Sequence, residues 1–390
     1  MRAVAVVGAS LAGVATARAL RAQGFEGRVS VVGDEARTPY DRPPLSKDFL
    51  LGKTEAADLA LLDSDDEAEL AIDWRLGTRA VGLHPSRRAV ALADGGEITA
   101  DAVVVATGAA PNRLPRTAGL AGVHVLRSLE DAAALRLELA AGSPRVAVIG
   151  GSFIGAEIAS SCRALGLETT VVEAAEAPLA GVLGTEVARA CAELHGDNGV
   201  RLLCGVPVSG LRGEGRVTGV ELADGTLVPA EVVVMGVGAR PNTGWLAGSG
   251  LELDDGVVCD DGLITAFGSV AAVGDVARLR GPQGASARAE HWTSASEQPA
   301  VAVANLLAGA TLHEYRRTPY FWSDQYGVRL QFAGRTRPGD EARVVEGSIA
   351  ERSFAAVYER DGAVVAAAAM NRPRPFTRLR RGLSRAAVPA

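Results

Sequence analysis

One stretch of this chain occurs twice, and this duplication constrains the fold more than any other feature. Residues 91–112, ALADGGEITADAVVVATGAAPN, align without a gap with residues 221–242, ELADGTLVPAEVVVMGVGARPN, and 11 of the 22 positions are identical. Each copy contains a glycine turn, an apolar VVV strand, a second glycine and the dipeptide PN, a pattern typical of a strand that follows a tight turn. We therefore expect two similar structural units.

A glycine-rich turn lies upstream of each copy. AVAVVGASLAG at residues 3–13 and RVAVIGGSFIG at residues 145–155 are strand-like apolar runs that enter a glycine turn. A helix-forming segment and another apolar strand follow in both places. This order predicts two βαβ units of the Rossmann type and an α/β fold class.

The two glycine turns predict dinucleotide binding in both units. A serine replaces the middle glycine of the G-x-G-x-x-G pattern in each turn, Ser10 in the first and Ser152 in the second, and a purely structural turn is the alternative. An acid at the end of the next strand, Asp34 or Glu35 in the first unit and Glu173 in the second, would accept from ribose hydroxyls. No arginine in the segment EAAEAPLAG is available for a 2′-phosphate, so we expect NADH rather than NADPH.

The composition is that of a globular protein of two or three domains, since 48% of its 390 residues are apolar and 22% are charged. The chain begins with a strand-like run instead of a leader, and it has no span of about 18 apolar residues, so we expect a cytoplasmic protein without membrane contact. The four cysteines form no C-x-x-C pair and the five histidines show no metal-ligand spacing. Buried thiols are therefore favoured over a redox dithiol, and no metal is expected.

Charge is distributed unevenly along the chain. The net charge is −6, yet residues 316–390 contain 14 basic and 7 acidic side chains. A basic segment of this kind could bind an acidic protein or a nucleic acid, and a solvated arginine-rich surface is the alternative.

The loop PYDRPPLSKD at residues 39–48 is stiff for a connection, because three prolines restrict its backbone. It contains Lys47, and only Lys47 and Lys53 are lysines among 40 basic residues. A lysine provides a compact ammonium charge, whereas arginine provides a broad planar group. We interpret the loop as a rigid arm that positions Lys47.

Six motifs together resemble one family. They are GDEARTPYDRPPLSKD (33–48), ATGAAPN (106–112), GGSFIGAE (150–157), SVAAVGDVA (269–277), EHWTSASEQ (290–298) and PYFWSDQYG (319–327). Through these motifs nearly the whole chain resembles the FAD- and NADH-dependent ferredoxin reductases that serve Rieske-type dioxygenases and bacterial haem monooxygenases. The resemblance implies two Rossmann-like domains of the glutathione-reductase type and a C-terminal α+β domain.

The resemblance assigns FAD to the first unit and NADH to the second. It implies that Lys47 and Glu157 form a catalytic pair near the flavin nitrogen that accepts hydride, although a carboxylate in the first turn of a helix is also favourable for structural reasons alone. The implied FAD contacts are Gly8, Ser10, Ala12, Gly13, Asp34, Glu35, Arg42, Lys47, Ala80, Ala106, Gly108, Arg127, Asp275, Trp292 and Trp322. The implied NADH contacts are Gly151, Phe153, Ile154, Gly155, Glu157, Glu173 and Gly238.

Three of these assignments have a structural alternative. Asp275 would accept from a ribityl hydroxyl of FAD, or it would cap a helix N-terminus. Trp292 and Trp322 would line the isoalloxazine ring, whereas composition alone would place both in the core. Trp322 would also be a relay toward the iron-sulfur cluster of the partner.

The implied activity is hydride transfer from NADH to FAD, followed by single-electron transfer to a small acidic two-iron ferredoxin. A disulfide reductase is disfavoured, because Ser46 occupies the loop where that class needs a cysteine. A flavin-dependent NADH oxidase or peroxidase that acts through a single cysteine is disfavoured similarly, because Cys162 lies on the first helix of the second unit. A rubredoxin reductase stays open. An interaction protein of the apoptosis-inducing-factor type also stays open, although the C-terminal segment has no basic run longer than two, so nucleic acid binding is not expected.

The duplication also predicts the domain boundaries. We expect a discontinuous FAD-binding domain at 1–112 and 243–315, an NADH-binding domain at 113–242 and a C-terminal domain at 316–390. The last domain begins with an alternating pattern that favours antiparallel strands, and it ends in a short basic helix or a frayed tail. We expect a monomer or a weak dimer.

Overall fold

The computed structural model describes residues 1–115, 117, 119–280 and 286–386. The chain forms two compact units, each discontinuous in sequence. The first unit comprises Met1–Asp41, Leu59–Ala110 and Arg240–Pro319, and the second comprises Arg42–Asp58, Pro111–Ala239 and Tyr320–Ala390.

The strands and helices follow one another along the chain in three groups. The first are β1 (Ala3–Val7), α1 (Leu11–Ala22), β2 (Arg28–Val32), α2 (Ser64–Leu70), β3 (Ile72–Arg75), β4 (Ala80–His84), β5 (Ala89–Leu92), β6 (Glu97–Thr99), β7 (Ala102–Val105) and β8 (Ala109–Pro111). The next are β9 (Val123–Val125), α3 (Leu129–Ala140), β10 (Val146–Ile149), α4 (Phe153–Ala164), β11 (Thr169–Glu173), α5 (Ala180–Asp197), β12 (Arg201–Cys204), β13 (Val208–Glu214), β14 (Arg216–Leu222), β15 (Leu227–Pro229), β16 (Val232–Met235) and β17 (Ala239–Pro241). The last are β18 (Val257–Cys259), β19 (Val270–Ala272), β20 (Ala277–Arg280), β21 (Ser286–Arg288), α6 (Trp292–Ala308), β22 (Tyr320–Gln325), β23 (Val328–Gly334), β24 (Ala342–Ser348), β25 (Ser353–Arg360), β26 (Ala363–Met370) and α7 (Pro373–Ala386).

Each unit contains a five-stranded parallel sheet of the same topology. The strand order is β19-β7-β1-β2-β3 in the first unit and β9-β16-β10-β11-β12 in the second. A three-stranded antiparallel sheet accompanies each, β4-β5-β6 in the first unit and β13-β14-β15 in the second. The predicted α/β class with two Rossmann-like units is therefore confirmed.

The central strands form the cores of the two units. Val6 and Val104 are fully buried in the first sheet, as are Val148 and Val234 in the second. Parallel strands covered on both faces need such continuous apolar runs, and this explains why the duplicated VVV sequences were readable as strands.

The second unit also contains the C-terminal sheet, which has the antiparallel order β22-β23-β26-β25-β24. Helix α5 covers one face of this sheet through Leu183 and Leu194, and α7 covers the other through Phe376 and Leu383. This arrangement confirms the predicted C-terminal α+β architecture. The helical alternative for the chain end is confirmed over α7, while residues 387–390 lie outside the described residues.

A buried histidine ties α5 to the turn between β22 and β23. His195 is 2% exposed, and its Nδ1 atom lies 2.8 Å from the hydroxyl oxygen of Tyr326. The backbone N–H of Tyr326 donates to Ser160 Oγ of α4 at 2.7 Å.

Within the described parts of the chain, no helix has the length and apolarity needed to cross a bilayer.

Candidate functional site

The glycine turn of the first unit connects β1 to α1. Gly8 has a φ angle of +124°, and a Cβ atom there would lie 2.1 Å from the carbonyl oxygen of Ala106. A Cβ atom on Gly13 would lie 2.0 Å from the carbonyl oxygen of Gly8. Only glycine fits at these two positions. The turn therefore passes close to the end of β7 at Gly8, and the start of α1 packs against the turn at Gly13.

Ser10 and Ala12 belong to the start of α1, where the first backbone N–H groups of the helix point out of its end. Ala12 is buried, and its Cβ atom would be 3.1 Å from a Cβ atom on Gly274. Gly274 donates its backbone N–H to Gln298 Oε1 at 2.7 Å. The segment that contains Asp275 therefore lies beside the glycine turn and the start of α1. This arrangement has room for a pyrophosphate at the helix N-terminus and for a ribityl hydroxyl of FAD next to Asp275.

Asp275 lies in a 3-10 turn, Gly274–Val276, between β19 and β20. The next α-helix, α6, begins only at Trp292. The interpretation of Asp275 as the N-cap of an α-helix is therefore wrong, because the chain returns to a strand directly after the turn.

The acids after β2 lie at an exposed edge of the first unit. Asp34 has a side chain that is 59% exposed, and its Oδ2 atom is 3.4 Å from Arg79 Nη2. Ala80 follows Arg79 and begins β4. Glu35 accepts a hydrogen bond from the hydroxyl of Tyr40. Asp34 is thus accessible to ribose hydroxyls, whereas Glu35 holds the start of the proline-rich loop.

The glycine-containing loops after β7 and β16 are held by the two PN dipeptides. In the first unit, Asn242 donates its backbone N–H to Gly108 O at 2.9 Å. Asn242 also donates from Nδ2 to the carbonyl oxygen of Thr107, and its own carbonyl oxygen accepts from Thr107 Oγ1. In the second unit, Asn112 donates its backbone N–H to Gly238 O at 2.9 Å. Gly108 and Gly238 have φ angles of +64° and +84°, so both loops need a left-handed residue.

The two candidate tryptophans are not core residues. Trp292 is 39% exposed, and its Nε1 atom donates to Asp41 Oδ1 at 2.8 Å. Trp322 is half-buried on β22, where it stacks on Tyr320 with ring centroids 5.9 Å apart. The guanidinium of Arg380 lies 4.0 Å from the centroid of the Tyr320 ring. The interpretation of these tryptophans as core residues is therefore wrong.

The glycine turn of the second unit repeats the first. A Cβ atom on Gly155 would lie 2.2 Å from Gly150 O, and Ser152 Oγ accepts from the N–H of Gly155 at 3.2 Å. Ser152, which replaces the middle glycine of the pattern, is therefore the N-cap of α4. Ile154, in the first turn of α4, is 47% exposed. The ring of Phe153 packs against Phe321 of β22 with centroids 4.5 Å apart.

Glu173, at the end of β11, is folded back onto this turn. Its Oε2 atom accepts from the N–H of Gly151 at 2.7 Å, and its Oε1 atom accepts from the N–H of Ala175 at 2.8 Å. A negative charge is thus fixed next to the glycine turn, where it can accept from ribose hydroxyls and repel a 2′-phosphate.

The side chains of Lys47 and Glu157 are in contact. Lys47 Nζ lies 2.9 Å from Glu157 Oε2, and the side chains are 21% and 7% exposed. Glu157 is the fifth residue of α4 and so lies in its second turn, which corrects the expected position in the first turn. A carboxylate there is too far from the helix end for the dipole to explain it.

Two serines also contact this carboxylate, and sequence analysis gave neither of them a role in the site. Ser46 Oγ donates to Glu157 Oε2 at 2.6 Å, and Ser323 Oγ donates to Glu157 Oε1 at 2.8 Å. Both serines fall within motifs of the family resemblance, but a serine has no pattern of its own that marks a contact more than 100 positions away in the chain.

Arg42 and Arg127 meet through a backbone contact. Arg42 donates from Nη1 to the carbonyl oxygen of Arg127, and the N–H of Arg127 donates to Asp131 Oδ2 at 3.1 Å in the N-terminal cap of α3. The candidate residues for the flavin are therefore divided: Arg42, Lys47, Arg127 and Trp322 belong to the second unit, and the remainder belong to the first.

The cysteines are poorly suited to redox chemistry. Cys162, Cys191 and Cys259 are buried, and burial raises the pKa of each thiol to about 12. Cys204 is half-buried, and its pKa is also raised by burial. A thiol that stays protonated is a weak nucleophile. Within the described ranges, no group of three or more His, Cys, Asp or Glu side chains could hold a metal ion.

Two family models cover most of the chain. Residues 2–299 match the pyridine nucleotide-disulphide oxidoreductase family, and residues 320–390 match the reductase C-terminal family. The boundary between the matches falls just before β22, where the antiparallel sheet begins.

Characterised relatives align over nearly the full chain. The ferredoxin reductase subunit of 5,5′-dehydrodivanillate O-demethylase from Sphingobium sp. is 36% identical, with 95% of this chain and 90% of that protein covered. Putidaredoxin reductase from Pseudomonas putida is 35% identical, with 96% and 89% covered. The crystal structure of the covalent putidaredoxin reductase–putidaredoxin complex matches with a TM-score of 0.93 at 34% identity, over 98% of this chain and 93% of that one.

Proposed function

The chain belongs to the pyridine nucleotide-disulphide oxidoreductase family, as a ferredoxin reductase, and from that premise we propose that it passes electrons from NADH through FAD to an iron-sulfur ferredoxin. The proposal includes the catalytic pair, the cofactor contacts and the division into FAD-binding, NADH-binding and C-terminal domains at 1–112 with 243–315, 113–242 and 316–390. A cytoplasmic location and a monomer or weak dimer are also part of it.

The glycine turns support binding of FAD and NADH. At Gly8, Gly13 and Gly155 an added Cβ atom would overlap a carbonyl oxygen, so each turn keeps the close backbone approach that a pyrophosphate needs. When bound, FAD would supply a redox centre able to take hydride from NADH and to release electrons singly. The first helical turns of α1 and α4 would hold the phosphates with backbone N–H groups, and Asp34 and Glu173 would hold the ribose hydroxyls.

The observation that carries the proposal is the Lys47–Glu157 pair. Both residues come from motifs of the family resemblance, and Glu157 lies on the helix that starts at the second glycine turn. The pair is largely shielded from water, and such an ion pair is costly to desolvate, so it is better explained by a site that needs a fixed cation than by stability alone. Lys47 would provide a positive charge where negative charge develops during hydride transfer.

Reduction of a disulphide by this chain is not supported, although the name of the family refers to that reaction. That chemistry needs an accessible thiolate, while three of the four cysteines are buried with raised pKa values and the fourth is half-buried. Position 46, in the proline-rich loop, is a serine that hydrogen-bonds Glu157.

A basic face on α7 supports an acidic partner. Arg374, Arg378 and Arg381 recur at helical spacing and are exposed, and Arg378 alone of the three pairs with Glu346, at 3.3 Å. Such a face would attract a small acidic ferredoxin and raise its rate of association at low salt.

The test is a spectrum followed by turnover. The purified protein should show a bound flavin, and NADH should support faster reduction of two-iron ferredoxins than NADPH does. Parallel assays with a rubredoxin, and DNA retention at low and high salt, would test the two alternatives. A flavin-free protein, or turnover with NADPH only, would contradict the proposal.

A further inference from the structure

We propose that Ser46 and Ser323 are positioning residues that fix the Glu157 carboxylate and, through it, the ammonium of Lys47. The inference rests on the proposed function, because it explains how the pair is held for hydride transfer. Neither serine needs to touch a nucleotide for this role.

The four hydrogen bonds to Glu157 are divided evenly between its two oxygens. Oε2 accepts from Lys47 Nζ at 2.9 Å and from Ser46 Oγ at 2.6 Å. Oε1 accepts from Ser323 Oγ at 2.8 Å and from the backbone N–H of Asp324 at 3.3 Å. The terminal torsion of a glutamate is intrinsically broad, so these bonds, and not the side chain itself, determine where Oε2 lies.

The serine on Oε1 is the stronger of the two donors on that side. Without Ser323, Oε1 would keep only the 3.3 Å contact to Asp324, and the orientation of the carboxylate would be fixed almost entirely by the two bonds to Oε2. Ser323 Oγ also lies 3.4 Å from Gln325 Nε2, which donates to it, so the hydroxyl proton is directed to Glu157.

The serine on Oε2 shares its acceptor with Lys47. Its other available acceptor, the carbonyl oxygen of Pro43, is 3.4 Å away, so the 2.6 Å bond to Glu157 is preferred. The backbone of Ser46 is itself held, because its carbonyl oxygen accepts from Ser161 Oγ of α4 at 2.7 Å. The end of the proline-rich loop is therefore fastened to the helix that provides Glu157.

Burial makes these hydroxyls difficult to replace. Ser46 is 5% exposed, Ser323 is fully buried and Glu157 is 6% exposed. Water has little access to a site of this kind, so a deleted donor leaves the carboxylate oxygen with an unmet hydrogen bond. The pair thus depends on three separate segments: the loop, α4 and β22.

The experiment uses the chain's two lysines. The holoprotein is treated with limiting acetylating reagent, and peptide mass spectrometry measures the acetylated fraction of Lys47 relative to Lys53, which is exposed. The variants are Ser323→Val and Ser323→Thr, which have the same shape but differ in the hydroxyl, together with Ser46→Ala. Ser209→Ala is the matched control, because it removes a serine hydroxyl that bonds Glu221 O elsewhere in the second unit.

We expect Lys47 to be protected in the wild type, in Ser323→Thr and in Ser209→Ala. In Ser323→Val and Ser46→Ala its relative reactivity should rise by about tenfold, the size expected for a hydrogen bond to a charged group. The single-turnover rate of flavin reduction should fall by a similar factor while the Kd for NADH changes by less than about twofold.

Equal protection in wild type, Ser323→Val and Ser46→Ala would overturn the proposal, and so would equal loss in Ser323→Thr and Ser323→Val. If Ser323→Val does not fold, Ser46→Ala decides the question in the same way. A failure of the proposed function has a different signature, because the wild type would then lack NADH-driven flavin reduction whatever the lysine reactivity.

Discussion

Lys47 Nζ and Glu157 Oε2 are 2.9 Å apart, although the two residues are 110 positions apart in the chain. The contact joins a proline-stiffened loop to the helix that begins at the second glycine turn. A compact ammonium fits this contact, since Glu157 Oε2 also accepts from Ser46.

The first prediction concerns the shape of the cation. Lys47→Arg should fold and retain FAD, yet reduce its flavin about 10- to 100-fold more slowly, because a planar guanidinium cannot reach the same position. Stopped-flow absorbance with NADH measures the rate, and Lys53→Arg is the control. An unchanged rate in Lys47→Arg would mean that the lysine is only structural.

A second prediction concerns the stability of the pair. Glu157→Gln replaces an acceptor of four hydrogen bonds with an amide that donates on one side, so the free energy of unfolding should fall by about 3 kcal/mol. Urea unfolding checks this value. Glu193→Gln, in a more exposed contact with Arg352, should cost less than about 1 kcal/mol. Equal losses in the two variants would show that the buried pair has no special weight.

Coenzyme preference should depend on Glu173. Glu173→Gln removes the charge that would repel a 2′-phosphate under the proposed function, so the ratio of kcat/KM for NADH to that for NADPH should fall about tenfold. Steady-state kinetics with both coenzymes provide the ratio. Glu176→Gln, three positions along the same segment, should leave it unchanged. A ratio that does not move in Glu173→Gln would assign the preference to other residues.

Acid should weaken the fold through His195. Burial lowers its pKa from 6.5 to about 4, so between these values the unfolded chain binds more protons than the folded one. The contribution of His195 to the free energy of unfolding is therefore fully present above about pH 6.5. It is lost as the pH falls toward 4, and the loss is about 2 kcal/mol at pH 5.

Urea unfolding at pH 7 and pH 5 measures this loss. His195→Gln should remove about 2 kcal/mol of the difference between the two pH values, while His313→Gln, at an exposed position, should not. An equal pH dependence in wild type and His195→Gln would show that other groups cause the acid sensitivity.

Electron transfer to the ferredoxin should depend on the basic face of α7. Arg374→Glu combined with Arg381→Glu should slow ferredoxin reduction about tenfold at low salt and less at high salt, because the attraction is screened. Reduction of ferricyanide by NADH should be unaffected. Arg201→Glu, which reverses one exposed charge on β12, is the control for charge reversal elsewhere in the second unit, and an equal effect there would exclude a specific docking face.

The sequence was informative wherever the determinant was local. Gly8 and Gly155 were recognisable because a turn with no room for a Cβ atom leaves glycine in the sequence. The duplicated strands were recognisable because buried parallel strands need unbroken apolar runs. The Lys47–Glu157 contact came from the family resemblance and not from any pattern in the residues.

Other features depend on contacts that are distant in sequence. Ser323 meets Glu157 across 166 positions, and nothing in the residues around a serine indicates its acceptor. The N-cap interpretation of Asp275 was wrong for a related reason, since only the paired neighbours of β20 determine that the chain continues as a strand. The inclusion of Arg42–Asp58 in the second unit likewise follows from packing.

The position of Ser323 and Asp324 in the chain has a consequence for biosynthesis. A ribosome completes the loop and α4 long before it reaches β22, so both glycine turns exist while the donors to Glu157 Oε1 are still missing. The hydrogen bonds that hold Glu157 Oε1 are therefore completed only after β22 has been made. A chain that stops before residue 320 would contain both glycine turns and lack both donors to Glu157 Oε1.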